Sequence, residues 1–117
     1  MIKEFASRVF AARDVAHREH LRSRSYAQHM ALDDFYRQVI DAADELIEAY
    51  QGQFGPIGDF TVQTRKVDDI AAYLRDDVDW MQSVRDVIAN DDPAVLNLLD
   101  GVCAIYLRTI YKLENLS

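Results

Sequence analysis

The chain has 117 residues, enough for one hydrophobic core and too few for two, so a single domain over residues 1–117 is expected. Half of the residues are apolar and 28% are charged, a balance that excludes disorder. With 20 acidic against 13 basic side chains the formal net charge is −7, so the average field repels nucleic acid and anionic lipid.

The opening stretch MIKEFASRVFAARDV breaks its apolar positions with charge at nearly every turn, unlike a signal peptide or a membrane span, and a cytoplasmic location is expected. Phe5, Val9, Ala12 and Ala16 repeat at helical spacing with His20 one turn on, which predicts a first helix over about residues 3–22. Arg13, Arg18, Arg22 and Arg24 form the one basic patch, suited to a single anion or acidic partner or to a plain solvated face. A second helix over about 27–51 follows from Leu32, Tyr36, Val39, Ala43, Leu46 or Ile47, and Tyr50. Ser25 is its expected N-cap, a hydroxyl that accepts an otherwise unpaired backbone N–H. Tyr26, Tyr36 and Tyr50 read as packing aromatics.

Gly52, Gly55, Pro56 and Gly58 cluster in QGQFGPIGD and break the chain. The link over residues 52–66 carries Phe54, Ile57, Phe60 and Val62 to pack against helices, and FTVQT within it suits an extended conformation. It lacks the lysine and serine or threonine of a phosphate loop. A third helix is predicted over about 67–89, with Val67, Ile70, Ala71, Leu74, Val78, Met81 and Ile88 on one face. Asp92 then caps and Pro93 fills the first position of a fourth helix running to about Leu113. That helix is expected to be the most buried; Cys103, the only cysteine, reads as a small buried hydrophobe and allows no intrachain disulfide.

Short connections make helices one and two, and three and four, antiparallel hairpins. Extended, the central link reaches roughly 50 Å, whereas a helix of 24 residues is about 36 Å long. It is therefore long enough to cross from end to end, and the expected fold is all-α: an antiparallel four-helix bundle, ferritin-like, with one long crossover between helices two and three. An up-down bundle with an ordered surface loop is the alternative.

His17, His20 and His29 precede a run of carboxylates on the second helix. At about 100° per residue, His29, Asp33, Asp44 and Glu48 share a sector of about 100° beside the apolar stripe. Asp34, Asp41 and Glu45 fall on the solvent side. Asp44 with Glu48, and His29 with Asp33, are each one helical turn apart and offer oxygen and nitrogen donors suited to Fe(II), Mn(II) or Zn(II). Eleven residues separate Asp33 from Asp44, about 16 Å along the axis, so one helix cannot bring both turns to one ion. Either the turns are unrelated, or each is completed by another helix or chain; a symmetric dimer with antiparallel second helices does this twice.

The stretch HREHLRSRSYAQHMALDDFYRQVIDAADELIEAYQG resembles the first half of the miniferritins, the starvation-induced DNA-binding members of the ferritin-like superfamily. It is also similar to a small family of uncharacterised phage proteins sharing the HL, SYAxH, ALDDFY and EAYQG elements. The resemblance implies a homodimer with an iron-oxidation centre at its two-fold interface. By family spacing, His17, His29 and Asp33 of one chain face Asp44 and Glu48 of its mate, with His20 as the substitute if His20-Leu21 is the equivalent of the family's histidine-tryptophan pair. It implies Fe(II)/Fe(III) as the metal and ferroxidase activity. The chain lacks the basic tails that some members carry, and no nucleic acid or membrane partner is expected. Against this stands an acidic helix edge in which Arg37 neutralises Asp33, Asp41 or Asp44 with no metal. On that reading the protein is a non-enzymatic, phage-encoded helical dimer or adaptor, acting in the host cytoplasm on an unidentified protein partner.

Overall fold

A computed structural model describes residues 1–117, and every regular element is a helix: α1 (Ile2–Arg22), α2 (Tyr26–Phe54), α3 (Ile70–Ser83), α4 (Arg85–Ile88) and α5 (Pro93–Asn115). The predicted caps are in place. The Gln28 N–H donates to Ser25 Oγ at 3.2 Å, and the Val95 N–H to Asp92 Oδ2 at 3.0 Å with Pro93 in the first turn. α2 runs a turn past its expected end and stops at Gly55, whose φ of 96° is open to glycine and strained for other residues.

The predicted third helix is instead two pieces. Val84 leaves the helical region at φ −124° and ψ 25°, just after Ser83, whose hydroxyl donates to the Trp80 carbonyl at 2.8 Å and competes with the backbone ladder. Val67, expected inside that helix, is buried in the preceding link, and Asp69 caps α3 through the Ala72 N–H at 3.1 Å. The turn into α5 places Asn90 and Asp91 at positive φ, a conformation their short polar side chains tolerate. FTVQT forms no strand.

α1 packs on α2, α2 on α5, α5 on α3, and α3 on α1. Phe5, Val9, Leu32, Phe35, Val39, Leu46, Leu74, Met81, Leu99 and Tyr106 meet in one core, the predicted stripes facing inward. α5 lies antiparallel to α2, since Lys112 reaches Asp34 and Arg108 reaches Gln38. α3 lies antiparallel to α1, since Arg8 near the start of α1 meets Asp77 and Trp80 in the second half of α3. The link between α2 and α3 therefore travels the length of the molecule, and it does so along α1. Gly58 lies beside Lys3, Ser7 donates to the Thr61 carbonyl at 2.5 Å, and Phe10 meets Phe60 edge-on at 5.2 Å. At the far end Arg65 covers the Tyr73 ring at 4.9 Å.

α5 is apolar enough in length and composition to cross a membrane, with a mean hydropathy of 1.3 over its most apolar window. Its inner face is core, and Cys103 is buried there as expected.

Candidate functional site

The three histidines converge where α1 hands the chain to α2. His20, on the last turn of α1, is buried by the stripe of α2. Its ring stacks on His29 with centroids 3.7 Å apart, and His17 stacks on Tyr36 at 4.0 Å. His20 Nδ1 lies 2.7 Å from the His29 carbonyl and His29 Nδ1 lies 2.9 Å from the His20 carbonyl. A carbonyl only accepts, so both Nδ1 atoms carry and donate their protons, and in the neutral rings each Nε2 is left with a free lone pair. A histidine that ligates a metal through Nε2 is oriented in this way by a backbone carbonyl.

Asp33, one turn after His29, completes the corner. The Tyr36 hydroxyl donates to its Oδ1 at 2.9 Å and Arg37 Nε donates to the same oxygen at 3.0 Å. The Tyr36 hydroxyl and then the Arg37 guanidinium hold the Asp33 carboxyl below the usual range. Burial, and then the bond to Asp33, push the Tyr36 phenol up. Oδ2 of Asp33 takes no hydrogen bond from the chain.

The remaining candidates do not join them. Asp44 and Glu48 are exposed farther along α2, and with Asp41 and Glu45 they form an acidic run with no ion-pair partner within the chain. Asp34, expected on the solvent side, turns toward α5 and meets Lys112, and Gln38 meets Arg108. No three of the chain's His, Cys, Asp and Glu side chains gather as a metal-holding group within one chain. Tyr36 and Tyr50 pack as expected, but Tyr26 does not: it is 78% exposed, with Leu21 at 71% and Met30 at 39% on the same end of the molecule. The outer face of α2 thus carries a histidine–aspartate end with apolar neighbours and an unpartnered acidic end.

A second polar cluster has no counterpart among the sequence expectations. Asp77 is buried on α3, where Arg8 from α1 donates to its Oδ1 at 3.2 Å and the Tyr106 hydroxyl from α5 donates to its Oδ2 at 2.8 Å. Burial pushes the carboxyl up to about 6, against the pull of Tyr106 and Arg8. The Arg8 guanidinium lies 4.5 Å above Trp80 and also approaches Glu4 and Asp76 at 3.7 Å each. A cleft of about 500 Å³ opens above this group, between α1, α3 and the crossover. The signal in the sequence is its register: Asp77 falls on the apolar stripe with Ile70, Leu74, Val78 and Met81, where a lone carboxylate must find a partner. No buried side-chain nitrogen or oxygen in the protein is left without one.

These features define an all-helical protein with a tethered histidine pair at one corner, an open acidic helix face beside it and a satisfied ionic core behind. The chain belongs to the family of unknown function DUF5856, whose model matches residues 20–113. The match begins at His20 and takes in His29, Asp33, Asp44, Glu48 and Asp77 but not His17. No curated protein and no solved structure matches the chain.

Proposed function

We propose that this protein is a ferritin-like four-helix bundle, similar to the miniferritins, that pairs with a second copy through the outer face of α2 and binds Fe(II) for oxidation at the two sites so formed. One observation supports the reading: His29 and Asp33 gather half-buried near one end of α2, Asp44 and Glu48 lie exposed and unpaired farther along the same side, and no three such side chains come together within one chain. An antiparallel pairing about the middle of α2 brings His29 and Asp33 of one copy to Asp44 and Glu48 of the other. His20, whose Nδ1 is tethered to a backbone carbonyl and which lies inside the family match, supplies the further nitrogen, with His17 as the alternative. The free Nε2 of each tethered ring, Oδ2 of Asp33 and the unpaired carboxylates suit Fe(II), and the same donors accept Mn(II) or Zn(II). In the oxidation, two electrons pass from two Fe(II) ions to one peroxide, which takes up two protons and leaves as two waters. The residues contribute by holding negative oxygen donors where positive charge grows.

A second reading is favoured by Tyr36 and Arg37, which already satisfy and neutralise Asp33 without a metal ion. On it the same face, with Leu21, Tyr26 and Met30 exposed at its end, belongs to a non-enzymatic adaptor that binds another protein. Anaerobic titration with Fe(II), followed by peroxide, separates the two. The ferroxidase reading expects saturable binding and rapid oxidation, both lost in Asp44→Ala and Glu48→Ala. Uncatalysed rates in all three proteins leave the adaptor.

A further inference from the structure

α5 has two faces. Its inner face fills the core, yet only 39% of its most apolar 18-residue window is buried. On the outer face, at about 100° per residue, Asn97, Asp100, Gly101, Ala104, Leu107, Arg108 and Tyr111 share one sector of about 120° centred on Ala104. Leu107 and Tyr111 are exposed there, Tyr111 at 59%. A shallow groove of about 360 Å³ runs beside them, lined by Cys103, Ala104 and Leu107 with the Arg85–Asp100 pair at its edge.

Gly101 is the informative residue. Glycine is the least favourable helix residue after proline, and here nothing inside the chain calls for it: a Cβ at position 101 would meet no atom within 4 Å. The cost is explained if a neighbour outside the chain needs the space. Charge narrows what that neighbour is. Arg108 has no carboxylate partner, only Gln38 Oε1 at 3.3 Å, and two turns before it stands Asp100, held by Arg85 through both oxygens at 2.7 Å each, with its half-exposed outer side open to a second guanidinium. A second α5 running antiparallel about a two-fold axis at Ala104 sets Asp100 at the level of the second copy's Arg108, and the reverse. It also sets Gly101 across from the turn that carries the second copy's Leu107 and Arg108, on the Arg108 edge, and Asn97 at the level of Tyr111, so the missing side chain leaves room for a long one.

We infer that the outer face of α5 is a self-association surface, on which a second copy of this chain docks antiparallel about Ala104. This surface is separate from the α2 face, and either association stands without the other. It excludes water from Leu107 and Tyr111 and gives Arg108 a carboxylate.

Two variants test it. With Ala104→Cys, two thiols meet on the axis, and under mild oxidation covalent dimers form at least about tenfold faster than for the exposed reference Arg13→Cys, because docking raises the local thiol concentration. Cys103 is a silent background: it is buried, and burial pushes its thiol up to about 11. With Gly101→Leu, the monomer keeps its helical circular dichroism, since the space is open, while the Ala104→Cys crosslinking rate in the double variant falls about tenfold or more through overpacking at the interface. Crosslinking at 104 no faster than at 13, or unchanged by Gly101→Leu, overturns the inference. The α2 variants Asp44→Ala and Glu48→Ala leave the crosslinking rate unchanged, so this result and the iron result fail separately.

Discussion

The histidine corner and the Asp77 cluster lie along the same helix, and they satisfy their polar groups in different ways. At the corner, His20 and His29 lean on each other's backbone, and Asp33 is met by side chains of its own helix, Tyr36 and Arg37. All of these contacts come from α1 and α2, and much of the cluster faces outward. Asp77 gathers its partners from three helices and is enclosed by them. A locally satisfied cluster can change partners without unfolding the protein; one shared among α1, α3 and α5 cannot. The first is built like a site and the second like a fastening.

The sharpest way to break this contrast is to remove Asp77. In Asp77→Ala the Arg8 charge and the fully buried Tyr106 hydroxyl lose their partner, and urea unfolding should show a loss of about 3–5 kcal/mol. A loss under about 1 kcal/mol would mean the cluster fastens nothing. The pH dependence is nearly as large. Because burial raises this carboxyl from its ordinary 3.8 to about 6, the folded state binds its proton more tightly than the unfolded state does. Its contribution to stability is therefore full below about pH 4 and is lost as pH rises through about 6, a difference of about 3 kcal/mol. Asp33 and Asp100, held low by Tyr36 with Arg37 and by Arg85, act in the opposite sense, losing stabilisation as pH falls below the ordinary carboxylate range. The difference between wild type and Asp77→Asn across pH 4–7 isolates the Asp77 share; parallel curves would contradict it.

At the corner the expected effects shrink. His20→Ala removes a stacked ring and a hydrogen bond at a half-open junction, and should cost about 1–3 kcal/mol, read as a lower urea midpoint at unchanged slope. Asp44→Ala and Glu48→Ala should shift stability by no more than about 0.5 kcal/mol, because neither side chain has a partner in the chain. Loss of iron binding in those two variants would then be a loss of ligands and not of fold.

Much of this architecture was legible from residue spacing. The stripes on α1, α2 and α5, the caps Ser25 and Asp92 and the long central link all follow from local rules, because each depends on neighbours within a turn or two. The break at Val84 was not legible, since the apolar face continues through it to Ile88 and the Ser83 hydroxyl that shares the Trp80 carbonyl with the backbone leaves no mark on that stripe. The corner was half legible. Angular arithmetic put His29 and Asp33 on a seam, but stacking and reciprocal Nδ1 tethers depend on how α1 ends against α2, which no single-helix projection contains. Asp77 was passed over because it sits in the stripe between apolar neighbours, and its partners lie 69 and 29 residues away along the chain.

The central claim is that each metal site takes half its donors from each of two chains, and mixing tests it most directly. One variant carries His29→Ala and Asp33→Ala; the other carries Asp44→Ala and Glu48→Ala. Each alone should be inert toward Fe(II) and peroxide. Unfolded and refolded together in equal amounts, they should recover about a quarter of the wild-type sites, since half of the dimers are mixed and each mixed dimer has one intact site of two. A mixture as inert as its components, or full activity in either variant alone, would contradict the account.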